Sequence, residues 1–136
     1  MQSTSPSLRV PLLTALSLAL ASCATHALIA PRTGDAFAAV LLGALGGVYL
    51  GGALRAGTRS EIAVTIVAAV LCILLAVAGL LGPAWIIPTG FLLHGGWDWA
   101  HHAMERRTVG RWWPPFCACY DGIVGIWLFV APWAKA

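Results

Sequence analysis

Charge is what this chain has least of. Only 10% of its 136 residues are Asp, Glu, Lys or Arg, and 60% are hydrophobic, whereas a soluble domain carries roughly 25% charged residues. A soluble core of this size cannot hide so much apolar surface, so the composition excludes a soluble globular domain. A nucleotide-binding glycine loop, a Ser-centred nucleophile motif and a haem-attachment cysteine pair are also missing, and the enzyme classes built on them go with them. Lysine occurs once, at Lys135, and the other basic residues are arginines in loops and at segment ends. A net charge of +3 spread in that way is a membrane-topology signal and not a nucleic-acid footprint. The four cysteines do not form a disulfide framework. Cys23 and Cys72 lie in apolar runs, where Cys behaves as a small hydrophobe. Cys117 and Cys119 begin a segment read below as starting on the cytoplasmic side, where thiols stay reduced.

What the chain does have is long apolar runs. A helix needs about 20 mostly apolar residues to cross a bilayer, and runs rich in Ala, Leu and Gly favour helices over the alternating strands of a barrel. The predicted fold is an all-α polytopic bundle, one membrane domain over 1–136, with spans near 10–30, 36–54, 62–81, 86–104 and 117–133. The first segment has a second reading as a cleaved signal, with Arg9 as charged lead and Val10–Ala21 as apolar core. Leu20-Ala21-Ser22-Cys23 resembles a bacterial lipoprotein box, and cleavage there would leave four spans. Apolar character continuing to Ala30 favours a retained helix. With alternating sides, Arg9, Arg55, Arg59, Arg106, Arg107 and Arg111 share one side, and Arg32 and Lys135 the other. That asymmetry puts the N-terminus in the cytoplasm and the C-terminus outside a bacterial-type inner membrane.

The second segment carries Gly43, Gly47 and Gly51 at a spacing of four. Small residues allow the close backbone approach that joins helices in lipid. The row is expected to pack against another helix of the same chain, with a homo-oligomer contact as the alternative.

The polar residues concentrate in the stretch His94-Gly-Gly-Trp97-Asp98-Trp99-Ala-His101-His102. On a helix turning about 100° per residue, His94, Asp98, His101 and Glu105 fall within roughly 60° of arc, with His102 just beside it. Asp98 lies inside the lipid boundary, where an ionisable group costs at least about 2.5–3.5 kcal/mol unless paired or wetted. The fifth segment adds Asp121 near the same surface, and the short loop between the two segments predicts antiparallel neighbours whose acidic residues meet at one depth. Imidazole and carboxylate together suit Zn, Fe or Mn. The expected ligands are Asp98, His102 and Asp121, with His101 as a further ligand or supporting partner, and with His94 and Glu105 as acid/base groups. His94 and His101 are seven residues apart, about 10.5 Å along the axis, too far to bind one ion together. The His94–His102 stretch superficially resembles the histidine boxes of membrane desaturases and hydroxylases, but Asp98 stands where a histidine would be and the other boxes are absent. Arg106, Arg107 and Arg111 are expected at an anionic lipid headgroup. The functional expectation is metal-dependent chemistry on a lipid or membrane-soluble substrate. A transport or proton-relay component and a non-catalytic assembly subunit stay open beside it.

Overall fold

The computed structural model describes residues 8–104 and 108–134. Five helices run in order, α1 (Arg9–Leu28), α2 (Pro31–Ala56), α3 (Arg59–Leu81), α4 (Ile86–Ala103) and α5 (Trp113–Ala134), with no strand among the described residues. Four of them, α1, α2, α3 and α5, are long and apolar enough to cross a membrane. The chain is an all-helical membrane bundle. The exception is α4, which spends its 18 residues partly on three histidines and an aspartate.

The helices outrun the apolar windows, because a helix ends where its backbone is capped and not where hydrophobicity stops. Pro31–Asp35, expected as a loop, is the first turn of α2: Pro31 takes the first helical position, where its missing N–H costs nothing. α3 starts three residues before its apolar run on a capping box, in which Thr58 Oγ1 accepts from Glu61 N and Thr58 N donates to Glu61 Oε2 at 2.8 Å. Trp113-Pro114-Pro115, also expected as loop, opens α5, again with prolines where no intrahelical N–H is needed.

Short connections make successive helices antiparallel. α2 packs chiefly on α3 and α4 on α5; α1 lies mainly against α5, and α4 also touches α2 and α3. The buried faces recur at spacings of three and four, strictly alternating in Thr65, Ala69, Cys72, Ala76 and Gly79 of α3. The remaining faces of α1 and α3 expose Leu, Ile and Val, as lipid-facing surfaces should. The apolar core gathers Leu42, Ile87, Phe91, Val124 and Leu128 with small residues of α1, α2 and α3.

The glycine row of α2 requires a correction. Gly47 and Gly51 are exposed, and a Cβ on either would meet nothing within 4 Å. The close approach to α3 belongs to Gly46, where a Cβ would lie 2.5 Å from Ala69 Cα. Gly46 sits on the buried row Ala39, Leu42, Gly46, Tyr49 and Ala53. Steps of four, by contrast, rotate by about 40° each and leave that face.

Candidate metal centre

The buried face of α4 changes character along its length. Ile87, Phe91, His94, Asp98 and His101 occupy one row. The first two join the apolar core, and the rest continue it as polar groups toward the end of the bundle that carries Arg55, Arg59 and Arg111. The buried face of α5 runs antiparallel through Cys117, Asp121, Val124 and Leu128. The two rows bring Asp121 opposite His94 and Asp98. Gly95 makes this possible: a Cβ there would stand 3.3 Å from Asp121 Cβ.

His94 Nδ1 lies 2.7 Å from Asp121 Oδ2 and 3.2 Å from Asp98 Oδ2. One ligand atom from each of these three residues falls within 4.8 Å of the others. Both aspartates are fully enclosed, at 0% exposure, and His94 is 5% exposed. Asp98 Oδ1 accepts a hydrogen bond of 2.5 Å from the Tyr49 hydroxyl of α2, so three helices converge on the cluster. Asp121 Oδ1, Asp98 Oδ2 and His94 Nε2 are buried without a hydrogen bond among the described residues. Native structures rarely leave such atoms unsatisfied without a reason.

The charge count is equally pointed. Two carboxylates and one imidazole sum to a net negative charge even when the ring is protonated. Burying uncompensated charge is costly. One divalent cation on a neutral imidazole brings the sum to zero, and so do two protons. Ligand bonds of about 2.0–2.2 Å to a transition metal put neighbouring donor atoms roughly 2.8–3.6 Å apart, close to the spacing of the His94 and aspartate donors. The residues fit a small oxygen- and nitrogen-loving ion.

The chain belongs to DUF6010, a family of unknown function, whose profile matches residues 10–134. No curated protein and no solved structure matches the chain.

The sequence-predicted residues divide as follows. The cluster unites Asp98 and Asp121 with His94, which the sequence reading cast as an acid/base group. His102 lies elsewhere: half-buried, it packs beside the exposed Trp99 at 5.9 Å between ring centroids, outside the donor group. His101 is on the cluster's face of α4 but one turn further along. Its Nδ1 is 3.2 Å from Trp97 O, and its ring packs at a tilt against Tyr49 at 4.7 Å and Trp97 at 4.6 Å between centroids. Cys117 is buried on the same row of α5 without entering the donor group. Arg111 is exposed in the α4–α5 connection. Glu105, Arg106 and Arg107 lie outside the described residues.

Sequence reasoning missed Tyr49. Its signal was available, since it is the only aromatic hydroxyl in the second segment and stands at the depth of Asp98 once α2 and α4 are set side by side. Tyr49 holds a carboxylate that would itself hold the ion. Outer partners of this kind typically contribute 10–100-fold to metal affinity. Tyr49→Phe, which keeps the ring and removes the hydroxyl, is expected to weaken metal binding by about 10–100-fold without unfolding the bundle. Competition against a chelator of known affinity measures this, and an unchanged affinity would count against the ligand role of Asp98.

At the other end of the bundle, His26 of α1 accepts at Nδ1 from Trp127 Nε1 (3.3 Å) and lies 3.9 Å from Asp35. Ser22 bonds Tyr120 at 2.8 Å. These contacts tie α1 to α5 and α2, a structural duty that leaves the centre to α2, α4 and α5.

Proposed function

We propose that this chain is a multi-pass inner-membrane protein, N-terminus in the cytoplasm, that holds one divalent transition-metal ion between His94, Asp98 and Asp121 for chemistry on a membrane-soluble or headgroup-bearing substrate. One observation carries the proposal: three buried donor atoms from two helices within 4.8 Å, with a third helix fixing one of them through Tyr49. The ligand set is one imidazole and two carboxylates, which suits Zn, Fe or Mn. His94 is a ligand in this reading, and the acid/base duty passes to His101. That residue lines a cavity of about 260 Å³ between α3 and α4, together with Glu61, Thr65, Trp97 and Met104. The same His101 ring touches Tyr49, one hydrogen bond away from Asp98. The cavity wall is mostly apolar and opens near the arginine-rich end of the bundle, as a membrane-soluble substrate would require.

The test is the metal content of protein purified in detergent without chelators. Near-stoichiometric Zn, Fe or Mn supports the reading and starts a screen of lipid substrates. Protein that carries no metal, and takes up none on dialysis against each ion, ends it.

A second reading has its own support. From the cavity inward, His101, Tyr49, Asp98, His94 and Asp121 form an unbroken series of titratable side chains, which is the composition of a proton relay. A metal-free protein that conducts protons in liposomes, and stops when Asp98 is changed to Asn, favours the relay.

A further inference from the structure

A second pocket, of about 420 Å³, opens at the arginine-rich end of the bundle between the last turns of α2 and the connection leading into α5. Arg55, Thr108, Trp112, Trp113 and the glycines Gly51 and Gly52 line it. Its polar chemistry is one-sided. No ion pair of Arg55 occurs among the described residues. Thr108 Oγ1 and Trp113 Nε1 are buried with no hydrogen-bond partner among the described residues. Arg55, Thr108 and Trp113 thus line one pocket, and none of its described lining residues is a carboxylate. Unsatisfied buried donors beside a cation call for an anionic oxygen ligand.

The position narrows the ligand further. Trp112 is 49% exposed and Trp113 lies beside it at the start of α5, and indole rings collect at the headgroup level of a bilayer. Val48 and Gly51 belong to the pocket wall, and beyond it the exposed face of α2 runs on to Gly47, where nothing stands above the glycines. A smooth apolar track that begins at an anion site has the shape of one acyl chain beneath a phosphate.

We propose that this pocket binds one phospholipid of the arginine-side leaflet, its phosphate on Arg55, Thr108 and Trp113 and one acyl chain on the Gly47–Gly51 strip. With no carboxylate among the described lining residues to receive a choline or ethanolamine cation, the pocket prefers lipids whose headgroup is purely anionic. The site is separate from the His94 cluster and stands whether or not a metal binds there.

The experiment is native mass spectrometry of the full chain, delipidated in detergent and titrated with dioleoylphosphatidylglycerol or dioleoylphosphatidylcholine. One phosphatidylglycerol is expected to bind at least tenfold more tightly than phosphatidylcholine. Arg55→Ala should remove that preference. Trp113→Phe, which loses only the N–H, and Thr108→Val should each weaken phosphatidylglycerol about three- to tenfold. Gly47→Leu should weaken both lipids alike by blocking the acyl track. Equal binding of the two lipids in the wild type, or a preference that survives both Arg55→Ala and Trp113→Phe, overturns the proposal. Full displacement of the lipid by millimolar inorganic phosphate overturns it in favour of a free-phosphate site. A protein that becomes monomeric on Gly47→Leu with lipid binding unchanged assigns the strip to a second copy of the chain and overturns it too.

Discussion

Asp98→Ala is expected to abolish metal binding, with an affinity loss of at least about 100-fold, beyond what losing an outer partner costs. Asp98 supplies one of three donors and half of the negative charge that balances a dication. Its loss also leaves the Tyr49 hydroxyl without an acceptor in a dry site. Asp121→Ala and His94→Ala should behave alike. His102→Ala should retain the ion, because its ring lies on the Trp99 side of α4. This contrast separates the three-residue centre from the ligand set that spacing alone favours. Asp98→Asn sharpens it by keeping size and hydrogen bonding to Tyr49 while removing charge. It should cost nearly as much affinity as alanine if the ion is a dication. Imidazole and carboxylate ligands bind the ion in their deprotonated forms, so binding should release protons and weaken as pH falls. Metal analysis of the five variants and proton release in weakly buffered solution check these outcomes. An ion retained by Asp98→Ala would sink the assignment.

The second large effect is one of packing. Gly46→Leu is expected to destabilise the bundle by about 3 kcal/mol or more, the upper part of the range for overpacking a closed contact. Even the first added carbon would lie 2.5 Å from the Ala69 backbone, so α2 and α3 must separate along their shared length. The move would also drag Tyr49, one turn further along α2, away from Asp98. Gly47→Leu, one residue away and facing open space, should leave stability within about 0.5 kcal/mol. Unfolding of both variants in detergent, followed by circular dichroism, tests the pair. Equal destabilisation would mean that Gly47 is covered in the intact protein.

The sequence made the helices legible because each apolar run is long and the arginines mark the turns. It made the polar face of α4 legible because His94, Asp98 and His101 stand out against an apolar helix, and helical geometry alone sets them on one side. The short α4–α5 connection was enough to bring Asp121 to the depth of Asp98. What stayed hidden depends on helix rotation. α2 is small and apolar on every side, so nothing in its pattern says that the face with Gly46 and Tyr49 turns inward and the face with Gly47 and Gly51 outward. The contribution of Tyr49 was lost with that rotation. That the buried cluster brings together His94 and not His102 has a related cause. Spacings of three and four on one helix look like a chelate, yet the third donor comes from α5, and it sits beside the residue one turn earlier. The ends of α2, α3 and α5 were misplaced because prolines and a capping box extend helices through polar sequence.

The polar composition of α4 also bears on how the chain enters its membrane. Helices leave the ribosome in order, and each must be released sideways into lipid. α1, α2 and α3 can be released singly on their own apolarity. α4 is less suited to that, since it carries an aspartate and histidines that α5 has not yet covered. A partner already in place when α4 emerges is Tyr49, delivered two helices earlier. Its hydroxyl can receive Asp98 at once, whereas Asp121 arrives only with the next segment. The Tyr49–Asp98 contact can therefore have a place in time as well as in space, as a foothold for α4 before Asp121 arrives.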